Sequence, residues 1–143
     1  MKQQTICVDL AGVLAEYSGW EGIETIGQPL EGSREFLLSL HKLGYKVSIF
    51  TTRTNPEINY PTPQKALVNI VEKWLTENDM YFDEVYSGIG KPLCSHFVDD
   101  RAIYCPASLA KEAFDMVISE LQQELYNLEI IKTHVLPPGE SDE

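Results

Sequence analysis

The stretch Ile6-Cys7-Val8-Asp9-Leu10-Ala11-Gly12-Val13-Leu14 sets the fold of this chain. Ile6 and Val8 alternate with Cys7 as residues of a buried strand do. The apolar run ends at one acidic residue, Asp9, and a glycine follows three positions later. Taken singly, an Asp at the end of a strand is more often a turn former or helix cap than part of a site. In an open α/β sheet, however, the carboxyl ends of central strands are where ligands bind. Gly12 lets the backbone turn sharply there, and bare amides around it can face an anion.

Outward from this first strand, about residues 4–8, strands and helices alternate. Tyr17 to Gly27 carries Gly19, Gly22 and Gly27 around Trp20 and Ile23, the pattern of a tight loop or small hairpin over the strand end. Ser33 is placed to cap a helix that carries Phe36, Leu37, Leu40 and Leu43 at helical spacing and stops at Gly44. Lys46 to Phe50 is the second strand and ends in Thr51-Thr52-Arg53. Thr62 caps and Pro63 opens a helix with Ala66, Leu67, Ile70, Val71, Trp74 and Leu75 on one face. Trp74 belongs to that core stripe and is given no chemical role. Short strands follow at Glu84 to Tyr86 and His96 to Val98, separated by Gly88-Ile89-Gly90-Lys91-Pro92. Pro106 starts a last helix, with Leu109, Ala113, Phe114, Val117, Leu121 and Leu125 expected to face inward. Residues 130–136 are expected as an edge strand or packed coil. This alternation predicts an α/β fold, a Rossmann-like three-layer sandwich with a central parallel sheet covered on both faces. One domain is expected over residues 1–136, with a frayed polar tail at 137–143.

The composition narrows the function. The net charge of −11 argues against binding a phosphate backbone such as nucleic acid, so a phosphorylated ligand would need positive charge supplied locally. No stretch approaches membrane-spanning length, and the start of the chain does not read as a signal peptide. Cys7, Cys94 and Cys105 form no CxxC pair and are read as the reduced thiols of a cytoplasmic protein without a zinc site.

Three strand ends then carry polar groups: Asp9, Thr51, and the pair Asp99-Asp100, with Lys91 just upstream of the last strand. In a parallel sheet all carboxyl ends point one way, so these groups can converge. An acid, a hydroxyl, an ammonium and an acid pair suit phosphoryl transfer assisted by Mg²⁺. Each has a plainer reading, Thr51 and Thr52 as turn residues, Lys91 as a solvated loop lysine, Asp99 and Asp100 as caps. Two adjacent carboxylates after an apolar strand repel, and a bound cation accounts for them better.

With these residues in order, the chain resembles the haloacid dehalogenase (HAD) superfamily of phosphatases. The match lies in Val8-Asp9-Leu10-Ala11-Gly12-Val13, Ile49-Phe50-Thr51, Lys91-Pro92 and Phe97-Val98-Asp99-Asp100-Arg101-Ala102, and covers roughly residues 4–105. A receiver domain places its acid pair on the first strand and its Lys last, the reverse of the order here. The resemblance implies a HAD-like phosphoric monoester hydrolase in which Asp9 is the nucleophile and forms an aspartyl-phosphate. It implies that Thr51 and the amides around Gly12 and Thr52 hold the phosphoryl oxygens and that Lys91 neutralises charge. Mg²⁺ is then bound by Asp9, the backbone carbonyl of Ala11, and Asp99 or Asp100. Arg53 is a candidate substrate contact, with a loop salt bridge as its alternative.

The departure from the pattern is Ala11, which stands where such phosphatases carry their general acid/base Asp. General acid–base help is worth ~10²–10⁴-fold, so phosphate and metal binding are expected with poor turnover. Three accounts follow: a deliberate inactivating substitution, a natural non-catalytic binder or weak phosphatase, or different chemistry. Asp-x-Ala-Gly also resembles phosphonoacetaldehyde hydrolases, but those use a Lys from a cap domain. Neither the gap from Asp9 to Thr51 nor that from Thr51 to Lys91 has room for a large cap. The site is therefore expected to be open, for a large substrate or for cover by a neighbouring subunit in a homo-oligomer, with the segment around Trp20 as the local lid candidate.

Overall fold

The computed structural model describes residues 2–88 and 90–132, in two compact units, Met1–Asp100 and Arg101–Glu143. The first unit holds the sheet. Strands β1 (Thr5–Asp9), β2 (Lys46–Phe50), β3 (Glu84–Val85) and β4 (His96–Val98) form one parallel sheet in the order β3-β2-β1-β4. Helix α1 (Ser33–Lys42) joins β1 to β2, and α2 (Gln64–Glu77) joins β2 to β3. The fold is thus α/β with a central parallel sheet, and no large cap interrupts either crossover.

Both crossovers step the same way along the sheet, and right-handed connections then put both helices on one face. The core agrees: Leu37 of α1 and Val71 and Leu75 of α2 pack with Ile6, Val8, Val47, Ile49 and Val85. The strand residues in that set are level with one another, since Ile6 pairs with Val47 and Val8 with Ile49. Alternation sends Cys7, Ser48 and Phe97 to the opposite face. The Lys46–Glu84 ion pair, at 3.1 Å, is about half exposed and adds little stability.

Element ends follow local chemistry. Gly32, at φ 86°, precedes α1 in place of a side-chain cap, so Ser33 is the first helical residue rather than its cap. Gly44 at φ 96° takes up the left-handed turn after α1, leaving Leu43 at the helix end and largely exposed. Pro63, not Thr62, occupies the capping position of α2, so Gln64 rather than Pro63 is its first residue.

The second unit corrects the expectation for the last helix. Pro106 precedes only a short 3₁₀ turn, Ala107–Leu109, and Ala110 at φ 46° breaks the chain before α3 (Lys111–Lys132) begins. Of the expected inward residues, Ala113 is buried and Val117 half-buried, whereas Leu109, Phe114, Leu121 and Leu125 are exposed. Apolar periodicity identifies the face a helix can bury, not the burial itself. Helix also runs through residues 130–132, where a strand or coil was expected, and the remainder of that segment and the tail at 137–143 lie outside the described residues. Among the described residues no helix is long and apolar enough to cross a membrane.

Candidate functional site

The sheet's carboxyl edge assembles the site. Asp9 is the last residue of β1, a strand buried between β2 and β4. Asp99 and Asp100 follow β4 directly, so adjacency of β1 and β4 brings the acid pair to Asp9. Carboxylate oxygens of Asp9, Asp99 and Asp100 all lie within 4.8 Å of one another. Like charges this close disfavour one another's ionisation. Asp9 is accordingly pushed up to about 7, chiefly by burial, then by the charge of Asp99 and that of Asp100. The Leu10 N–H opposes this by donating to Asp9 Oδ1 at 2.9 Å. The cluster contains only hard oxygen donors, a set suited to a divalent cation such as Mg²⁺.

Gly12 makes the sharp turn expected of it, but its own amide is not bare. Its N–H donates to the Ala15 carbonyl at 2.8 Å, closing a tight turn in which Leu14 and Ala15 both donate to the Leu10 carbonyl. The amide is therefore engaged within the chain rather than turned to an anion. What the turn requires is the missing Cβ: Gly12 sits at φ 85°, and a Cβ there would lie 2.5 Å from Asp100 Oδ2. The glycine lets the Asp100 carboxylate approach the backbone beside Asp9. The amides of Ala11 and Thr52 have no protein acceptor among the described residues, which makes these two, not that of Gly12, the candidates for an anion.

Thr51 follows β2, whose last residue Phe50 is level with Asp9. It is buried and extended, and its Oγ1 accepts from the Arg53 N–H at 3.2 Å, capping the 3₁₀ turn Thr52–Thr54. Thr52 is exposed. Lys91 Nζ sits 5.0 Å from the centre of the Phe97 ring, a cation–π contact, and makes no ion pair among the described residues. Phe97 is level with Cys7, so Lys91 stands beside β4 on the side opposite the helices.

Arg53 is directed elsewhere. Its Nη1 donates to the carbonyls of Gly22 and Ile23, both at 3.3 Å, and its Nη2 to that of Thr25 at 2.8 Å. The guanidinium also lies 4.8 Å from the centre of the Trp20 ring. Three carbonyls and a ring engage it, so Arg53 fastens the glycine-rich loop in place of touching a substrate or bridging to an acid. Trp74 Nε1 donates to the Gly27 carbonyl at 3.0 Å and fixes the far end of the same loop. Sequence reading missed both anchors. No local signal marked them, because each partner lies 28 or more positions away in sequence.

All three cysteines are free, and burial pushes Cys7 up to about 12, a poor nucleophile.

No family model and no curated protein matches this chain. A crystal structure of an MCSG target from Vibrio cholerae is similar to it, with 27% identity, coverage of 82% of this chain and 99% of the other, and a TM-score of 0.46.

Proposed function

We propose that this chain is a HAD-like phosphoric monoester hydrolase whose turnover is held back by Ala11. The observation that carries the reading is the convergence of Asp9, Asp99 and Asp100 at one sheet edge, one strand away from Thr51. Asp9, the Ala11 carbonyl and Asp99 or Asp100 would hold Mg²⁺, which when bound offsets the charge of the phosphoryl oxygens. The amides of Ala11 and Thr52 and the Thr51 hydroxyl orient those oxygens. Lys91 leaves the Phe97 ring to add positive charge beside them.

In the first step a carboxylate oxygen of Asp9 attacks phosphorus, and the bond to the ester oxygen breaks with its electron pair. The departing alkoxide needs a proton, and the Ala11 methyl has none to give. Hydrolysis of the aspartyl-phosphate then needs a base to take a proton from the attacking water, and the same gap recurs. Activated esters with weakly basic leaving groups are least affected.

The same absence favours a second reading, a non-catalytic protein that binds a phosphorylated ligand on this fold. A C–P hydrolase is the weaker alternative, because the crossovers carry no cap to bring a Schiff-base Lys. Three free thiols suit a cytoplasmic setting. An open edge suits a large substrate or cover by a second copy.

The binding half of the proposal is tested by thermal melting. Millimolar Mg²⁺ raises the melting temperature of the chain by mass action, and the double variant Asp9→Asn, Asp99→Asn loses the rise. Equal melting of the parent chain with Mg²⁺ and with EDTA would remove the metal from the account.

A further inference from the structure

Thr51 and Thr52 also line a partly open cavity of about 280 Å³ in the first unit. It lies between the chain leaving β2 and the chain leaving β3. Phe50 and Tyr86 give it aromatic walls, their rings 5.8 Å apart at 62°. Thr51 forms one end, while Asn55, Glu57 and Gln64 supply polar lining.

We infer that this cavity is the leaving-group pocket of the phosphoryl site and that it takes a small, uncharged, ring-bearing alcohol carrying a single phosphate. The inference rests on the phosphatase reading above, because it is Thr51 that joins the cavity to the proposed phosphoryl position.

Size comes first. Pockets for drug-sized ligands span about 300–1,000 Å³, so this one accommodates a compact group rather than a peptide or an oligomer.

Charge comes second. No Lys, Arg or His among the described residues lines the cavity, and its one ionisable acid is Glu57. A second phosphate or a carboxylate on the leaving group would enter unpaired beside a like charge, within a chain of net charge −11. The phosphoryl group has positive partners only at the other end, past Thr51.

Shape and polarity come third. The Tyr86 ring lies along the backbone of Gly88, where a Cβ would stand 2.6 Å from Cζ, and its hydroxyl donates to the Gly90 carbonyl at 3.1 Å. The glycines ahead of Lys91 thus hold a flat aromatic wall in place, and flat walls favour a ring over a flexible chain. Gln64 Nε2 is engaged by the carbonyls of Thr54 and Ser87, at 3.2 and 2.8 Å. Asn55 Oδ1 accepts from the amides of Glu57 and Ile58. The Gln64 carbonyl and the Asn55 amide group have no protein partner among the described residues, leaving one acceptor and one donor group for polar substituents of the ring.

Calorimetric titration in Mg²⁺ tests this with four probes: inorganic phosphate, ethyl phosphate, phenyl phosphate and 4-carboxyphenyl phosphate. The esters serve as ligands, and phosphate release is followed in parallel so that binding heat is separated from any hydrolysis of the aryl probes. Phenyl phosphate should bind about tenfold more tightly than ethyl phosphate or inorganic phosphate. The carboxylated ring should bind about tenfold more weakly than phenyl phosphate. Tyr86→Ala should bring the ratio of phenyl to ethyl phosphate affinity close to one, and Tyr86→Phe should preserve it. Glu57 is exposed, so Glu57→Lys should fold and should abolish the discrimination against the carboxylate. Equal affinity of phenyl and ethyl phosphate, or equal affinity of the two aryl esters, would overturn the pocket while leaving the phosphoryl site standing. Failure of all four, inorganic phosphate included, would overturn both.

Discussion

Replacing Asp9 by Asn should stabilise the metal-free protein, and only above a particular pH. The carboxyl is held at about 7 by burial and by Asp99 and Asp100, against 3.8 for the free group. Below about pH 3 both folded and unfolded chains carry the proton, so the residue costs nothing. As pH rises from about 3 toward 7 the unfolded chain releases that proton while the native site retains it, and native stability falls through this window. At about 1.36 kcal/mol per pH unit the ceiling is roughly 4 kcal/mol. Asp9 is only half-buried, and solvent screening brings the expected loss to ~1–2 kcal/mol. Asn keeps the size of the side chain and removes the charge. In EDTA at pH 8, Asp9→Asn should therefore melt about 5–10 °C above the parent chain, by the usual conversion for a small domain. At about pH 3 the two should melt together. The assay is a calorimetric or circular-dichroism melt at several pH values. An Asn variant that melts at or below the parent at pH 8 would refute the repulsive cluster, because the three carboxylates would then not be destabilising one another.

Two further perturbations address other parts of the site. Gly12→Ala places a Cβ against the Asp100 carboxylate at a positive φ and should cost about 1–3 kcal/mol. It should also weaken Mg²⁺ binding, seen as a smaller melting shift, and an unchanged shift would detach Gly12 from the cluster. Lys91→Ala should weaken inorganic phosphate binding ~10-fold or more while leaving the melting temperature nearly unchanged, since among the described residues exposed Lys91 makes only a ring contact. Calorimetry that finds equal phosphate affinity would return Lys91 to an ordinary surface lysine.

The strand framework was legible because burial imposes a simple pattern. Ile6 and Val8, and Val47 and Ile49, alternate with residues of the other face, and β2 and β4 fall where the sequence places them. The convergence of Asp9 with Asp99 and Asp100 follows from parallel topology, since equal strand direction brings carboxyl ends to one edge. What was not legible depends on partners distant in sequence. Arg53 reads as a substrate contact or a loop salt-bridge partner, and only the folded chain shows that carbonyls of residues 22, 23 and 25 engage it. Gly12 reads as an amide donor, yet its use is the space it leaves for a carboxylate 88 positions away. The aromatic cavity beyond Thr51 was invisible for the same reason, with Phe50 and Tyr86 on different strands' ends. Phe114, Leu121 and Leu125 show the limit of periodicity, a helical stripe that remains exposed.

Turnover of three chains decides the central claim, that this is a phosphatase lacking only its proton donor. The chain as it stands, Ala11→Asp, and Asp9→Asn as the blank are assayed in Mg²⁺ on activated aryl phosphates and on alkyl phosphates. Ala11→Asp should gain ~10²-fold or more, about 3 kcal/mol in the barrier, with the larger gain on alkyl esters whose leaving groups most need a proton. An Ala11→Asp variant as inactive as Asp9→Asn across the whole panel would contradict the claim and leave the ligand-binding reading in its place.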